Sequence, residues 1–245
     1  MSRRQRSGRA LPTDASPRSS RPRSRRRQEV HRGRFAAIRP WILPGVFGAA
    51  VLGAIIVLFD LSTSSSSASG PRLAPPVLGE AAAPVAIREY GDFQCPSCGA
   101  FFRLIEPQVR EAYLATGNAR LEWHDFAWIG PESRDAANAA RCAQVQGQFW
   151  EYHDLLYGNQ GGENSGAFSK DRLKAFGGSL DLDAQAFGAC VDAGTYAGAV
   201  QADFDEVRSL GLTGTPTFII GSRRIVGAQP FEVFAAAIEA ELAGR

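Results

Sequence analysis

The sequence predicts an α/β domain whose two β-rich ends flank a helical middle, preceded by one N-terminal transmembrane helix. Three observations predict this. An uncharged run, Trp41–Phe59, follows a basic tail. A strand–helix–strand pattern fills residues 84–127, and a strand–strand–helix pattern fills 216–243. Between them, over about 131–210, the hydrophobic spacing is helical and offers no convincing strand.

Charge along the 245 residues is segregated. Residues 1–39 carry 13 arginines against Asp14 and Glu29, a net +11 in a chain of net +2, so the remainder is −9. Residues 1–40 are rich in Arg, Ser and Pro and too poor in apolar residues to offset ordering entropy, so they read as a disordered tail. Arginine runs can bind nucleic acid. The apolar run that follows at once favours a membrane-adjacent role instead, and no nucleic-acid partner is expected. Trp41–Phe59 has nineteen residues without a charge. At about 1.5 Å rise per residue such a run reaches about 28 Å, close to the thickness of a hydrocarbon core. Residues 41–61 are therefore expected to form a transmembrane signal-anchor. Arginines before it and Asp60 after it place the tail in the cytoplasm and the rest outside the cell membrane. A cleaved signal peptide is the competing reading, with Ser66-Ser67-Ala68 as a weak cleavage candidate. Residues 62–76 form a Ser/Pro linker, and 77–245 the globular domain. In an oxidising compartment its cysteines are expected to pair.

Val85, Ile87 and Glu89 share one face of a strand ending near Asp92. Pro96 fits a first helical turn, where its missing N–H costs nothing. Phe102, Ile105, Val109 and Ala112 follow at helical spacing, Pro107 should kink the helix, and Gly117-Asn118 ends it. A second strand over 119–127 completes a parallel βαβ unit. Cys142, Val145, Phe149, Tyr152 and Leu156 lie on one predicted helix face. Further helices are expected in "SKDRLKAF", "DAQAFGACV" and "TYAGAVQADFDEVRSL", the last with Asp203, Asp205 and Glu206 on a solvated face. "TPTFII" and "RRIVGA" form a hairpin about Gly221-Ser222. A last helix buries Phe231, Phe234, Ile238 and Leu242.

The stretch "GDFQCPSCGAFF" carries Cys95 and Cys98. A structural zinc site usually needs four ligands, and Cys142 and Cys190 make no second knuckle, so no metal is expected. A cysteine hydrolase is disfavoured, because Cys98 would bond to the nucleophile and silence it. The redox reading fits better. At a helix N-terminus Cys95 feels the helix dipole and free N–H groups, which stabilise a thiolate. Cys98, one turn on, can reach back to release a mixed disulfide. Glu89, on the apolar face before Cys95, could exchange the resolving thiol's proton; an edge salt bridge is the alternative. Pro216 directly before a β run needs a reason, and a cis Thr215–Pro216 bond is one. It would let the Thr215 backbone pair with an incoming peptide beside Cys95.

The motifs "YGDFQCPSC", "CAQVQGQFWEYHDLLY" and "LGLTGTPTFIIGSRRIVGAQPFEVF" together resemble the DsbA-like branch of thioredoxin-fold thiol–disulfide oxidoreductases. The resemblance implies a thioredoxin-like fold with an inserted helical domain over about 131–210. It carries over Cys95 as attacking cysteine, Cys98 as resolving cysteine, Thr215-Pro216 as the cis-proline pair and Glu89 as the buried acid. It departs at Pro96-Ser97, where strongly oxidising members have a histidine. If Cys95 and Cys98 cycle, Cys142–Cys190 remains as a structural disulfide, as some members carry in the insert; two buried free thiols are the alternative. The implied function is disulfide formation in exported proteins, with their thiols as substrates. The implied partner is a quinone-linked membrane protein of the DsbB or vitamin-K-epoxide-reductase-like type, and no cofactor is implied. A reductase or isomerase of the same fold, and a non-catalytic peptide-binding module, are the rival readings.

Overall fold

The structure, a computed structural model, describes residues 73–244. The expected tail, anchor and most of the linker lie outside the described residues. Among the described residues no helix is long and apolar enough to cross a membrane.

The first half is built on β1 (Val77–Leu78) and β2 (Val85–Gly91). Helix α1 (Pro96–Leu104) follows, then α2 (Glu106–Val109) with a π-helical turn at Arg110–Leu114, then β3 (Ala119–Asp125). The insert holds α3 (Pro131–Gln144), α4 (Phe149–Gly158), α5 (Lys170–Gly177), α6 (Ala184–Ala193) and α7 (Ala197–Ser209). The chain closes with β4 (Thr217–Ile220), β5 (Arg223–Val226) and α8 (Phe231–Ala243). The sheet order is β1-β3-β2-β4-β5. β2 and β3 run parallel, and every other pairing is antiparallel. The short β1, paired along β3, has too little apolar alternation to be seen in the sequence.

β2 is central; Val85, Ile87 and Glu89 are buried on one face and Tyr90 on the other, while Ala86 and Arg88 are half-buried. On one face Val85 and Ile87 join Phe101, Ile105 and Val109 of the first helices and Phe234 and Ile238 of α8. Phe101, Phe218 and Phe234 form its aromatic centre, with ring centroids 4.4, 4.8 and 5.2 Å apart. Truncating a phenylalanine in such a site costs about 3–5 kcal/mol. On the opposite face Tyr90 packs with Phe126, Val207 and Leu212, beneath α7.

The structure corrects three expectations. The expected kink is there, as a break at Ile105 that leaves Pro107 in the first turn of α2; what differs is the buried face beyond it. The π turn then shifts the helical phase. The apolar residues these helices bury on the sheet side are Phe101, Ile105, Val109, Tyr113 and Leu114; Phe102 turns towards the insert and Ala112 is exposed. The periodicity from Cys142 to Leu156 belongs to two helices rather than one. Gly147, at φ +77°, ends the intervening turn, and Val145 is exposed. Asp203 and Glu206 do not form a free solvated face. Asp203 accepts from Arg141 Nη2 at 2.6 Å, and Glu206 accepts from Tyr90 Oη at 3.0 Å. Arg141 is almost fully buried and needs both Asp203 and Asp125 as counter-charges.

Candidate active site

Helix α1 begins where β2 ends, which brings Cys95 to the top of the sheet as the N-cap of α1 with Pro96 behind it. Cys95 and Cys98 are free thiols in this structure, and Cys98 is fully buried. Across from them the Thr215–Pro216 peptide bond is cis, and the Thr215 carbonyl oxygen lies 3.3 Å from Cys95 Sγ. The Thr215 hydroxyl accepts from Trp128 Nε1 at 3.3 Å.

The two thiols have opposite environments. The Cys98 thiol, first, then the Thr215 side chain and the N–H groups of Cys98 and Ser97, donate to the Cys95 sulfur and hold its pKa down to about 6 against the opposing effect of burial. Burial, and then the neighbouring Cys95, push Cys98 well up. One sulfur is a thiolate near neutral pH and the other a thiol. Glu89 is buried under them, with Oε2 lacking any hydrogen-bond partner. It is not an edge salt bridge, since β2 has neighbours on both sides. Burial first, and the charge of Glu106 next, push its carboxyl well above the usual range.

Asp92, unassigned by the sequence reading, holds this loop together. Its carboxylate accepts from the backbone N–H of Gln94 (2.8 Å), Trp128 (3.0 Å) and Ile129 (3.1 Å), and from the Ser133 hydroxyl (2.7 Å). It thus ties the cysteine loop to the start of α3. The Gln160 amide donates to the carbonyls of Phe93 and Cys95 at 2.9 and 2.8 Å. Trp128, half-exposed, forms one wall of a cleft of about 370 Å³ with Cys95, Pro96, Ile129, Glu163 and the Thr213–Thr215 backbone. Cys95, 7% exposed, lines this cleft, and Cys98 does not. An aspartate at a strand end three residues before Cys95 is the signal that could have found Asp92; Trp128 had none.

Cys142 of α3 and Cys190 of α6 are joined by a disulfide remote from this cleft in sequence and packed among Tyr152, Leu173 and Phe187. Among the described residues one group could hold a metal ion: His124, Asp203 and Glu206, with donor atoms within 4.8 Å of one another. The Arg141 guanidinium already occupies Asp203, and Tyr90 occupies Glu206.

A sheet of this order with a C-x-x-C pair at the start of its first long helix and a cis-proline opposite is the thioredoxin arrangement. Residues 72–240 match the family model described as Thioredoxin, and the chain belongs to that family. The protein named Na(+)/H(+) antiporter NhaA 1 of Salinispora arenicola is 36% identical over 170 residues. That match takes in 69% of this chain but 25% of the relative, so the chain spans about a quarter of that protein's length. Disulfide bond formation protein D of Bacillus subtilis is 27% identical over 173 residues, 69% of this chain and 78% of that protein. The crystal structure of oxidised BdbD from Bacillus subtilis matches with a TM-score of 0.65 at 25% identity, covering 71% of this chain and 99% of that one.

Proposed function

We propose that this chain is a membrane-tethered, extracytoplasmic thiol–disulfide oxidoreductase that forms disulfides in exported proteins. The observation that carries the reading is the asymmetry of the cysteine pair: Cys95 opens to a cleft with its thiolate stabilised, and Cys98 is sealed beneath it as a thiol. The likeness to proteins named for disulfide bond formation supports the same chemistry. The tether is read from the uncharged run Trp41–Phe59 behind a basic tail.

The reaction starts from the Cys95–Cys98 disulfide. A substrate thiolate attacks Cys95 Sγ, the Cys95–Cys98 bond breaks, and Cys98 leaves with the electron pair and takes up a proton. A second substrate thiolate then attacks the substrate sulfur of the mixed disulfide and expels Cys95 as a thiolate. The substrate has lost two electrons, now held by Cys95 and Cys98. Thr215 and Trp128 flank the attacked sulfur and orient the substrate. A quinone-linked membrane partner of the DsbB or vitamin-K-epoxide-reductase-like type takes the two electrons and restores the disulfide.

The test is to trap the mixed disulfide. The full chain with Cys98→Ala, activated at Cys95 as a mixed disulfide with thionitrobenzoate, a thiol more acidic than Cys95 and therefore the group that leaves, is offered a reduced peptide holding one cysteine. A covalent peptide adduct at Cys95 is expected, stable because no resolving thiol remains. Adducts at none of the cysteines, or at Cys142 and Cys190 alone, contradict the proposal.

A further inference from the structure

Close to Glu89 lies a second buried acid. Glu106 opens α2 where the chain restarts after the break at Ile105, and its side chain is 1% exposed. One of its oxygens accepts from Arg110 Nε at 2.6 Å. The other, Oε2, has no partner, and neither does Oε2 of the equally buried Glu89. Arg110 crosses to α4, where Nη2 donates to Asp154 Oδ1 at 3.0 Å, and Asp154 Oδ1 also meets His153 Nδ1 at 2.9 Å. Arg110 and Asp154 are 32% and 40% exposed, so this ladder reaches solvent.

The charged and titratable groups acting on Glu89 come from each element packed around it. Cys95 and Cys98 act from the start of α1, Glu106 from α2, Arg110 from the π turn and Tyr157 from α4. Its partners in the sheet, Trp123 and Phe218, do not titrate. Two buried carboxyls beside one guanidinium cannot both be ionised without a large penalty. Arg110 makes its close ion pair with Glu106, so a charge on Glu89 would face a second carboxyl with no cation of its own.

We propose that Glu106 is a positioning residue for the exchange reaction: anchored by Arg110, it keeps Glu89 protonated, so that Glu89 meets the departing Cys98 sulfur as a proton donor. The inference rests on the oxidoreductase reading above. In the step, a bond forms between the substrate sulfur and Cys95 Sγ, and the Cys95–Cys98 bond breaks. The electron pair leaves on Cys98 Sγ, and the Glu89 proton moves to that sulfur. Glu89 is left a carboxylate facing Glu106, an unfavourable pair that draws a fresh proton from solvent. After burial, the Glu106 charge is the largest influence raising the Glu89 carboxyl.

The test is the pH profile of reduction of the oxidised full chain by dithiothreitol, with rates divided by the thiolate concentration, between about pH 5 and 10. The expected wild-type rate is level while Glu89 holds its proton and falls once it is lost. In Glu106→Gln the fall should come at least about one pH unit lower, so that rates between the two midpoints drop up to about tenfold. Glu106→Asp, which keeps the charge, should bring the fall most of the way back, and Glu89→Gln should remove it. A Glu106→Gln profile superimposed on wild type, whatever its melting temperature, overturns the inference and leaves the oxidoreductase reading intact. Should Glu106→Gln not fold, Glu106→Leu serves in its place: it removes the same carboxyl without burying a polar amide, so an unmoved profile again overturns the inference. A wild-type chain that dithiothreitol reduces only at Cys142–Cys190 defeats both.

Discussion

The two cysteine pairs of this chain hold the same atoms in opposite settings. Cys142 and Cys190 are 48 residues apart, on two helices of the insert, and their disulfide is packed into an apolar cluster. Cys95 and Cys98 are three residues apart at a helix N-terminus, one sulfur at a cleft and the other sealed below. The first pair is already a disulfide, with Cys142 fully buried. Around the second, N–H groups, the partner thiol and Thr215 stabilise one thiolate, while burial forbids the other. The comparison teaches that reactivity here is a property of placement on the fold. On the proposed function, the pair that closes a long loop stabilises the fold and the pair on one helical turn exchanges.

The largest effect that would sharpen this contrast is on stability. Replacing Cys142 and Cys190 together by serine should lower unfolding free energy by about 4 kcal/mol, from the loop entropy of a 48-residue separation. Urea unfolding would show it, with exchange activity at Cys95 retained. Lost activity in a folded double variant would break the contrast. A smaller effect is expected in the positioning shell. Asp92→Ala would leave the N–H groups of Gln94, Trp128 and Ile129 without their acceptor and should cost about 2–3 kcal/mol, together with slower exchange, because the cleft wall is no longer pinned. The smallest concerns pH. Thiolate absorbance of the reduced chain should titrate with a midpoint near pH 6, and Thr215→Val should move that midpoint up by less than about one unit. The sign follows from a depressed thiol. The reduced form gains stability that is complete above the unfolded value of about 8.5 and is lost as pH falls through about 6. The melting temperature of reduced relative to oxidised protein should therefore rise with pH across that window, with groups common to both forms cancelling.

Much of the fold can be read from local pattern. The alternation of Val85, Ile87 and Glu89 specifies a face, and Pro216 before an apolar run marks the turn into β4, because each signal lies within a few residues. What escaped reading depends on contacts far apart in the chain. Asp203 is drawn in by Arg141, a partner 62 residues away, and Asp92 by an amide pair 36 and 37 residues on. Glu106 draws no reading from the sequence, where a glutamate before a proline gives no sign of burial, yet it is buried at the restart after Ile105. Helical spacing also misled where it continued by chance across the Gly147 turn, and where the π turn moved the buried face from Ala112 to Tyr113. Periodicity counts residues, and an extra or missing turn changes the count without changing the composition.

The reduction potential of the Cys95–Cys98 pair tests the central claim most directly. It would be measured in the full chain with Cys142→Ser/Cys190→Ser, equilibrated in glutathione buffers. A Cys95 thiolate stabilised to about pH 6 makes the disulfide easier to reduce than that of a thioredoxin, so a potential between about −270 and −120 mV is predicted. A value at or below about −270 mV would make the protein a reductant. A pair that never forms a disulfide would contradict the account altogether.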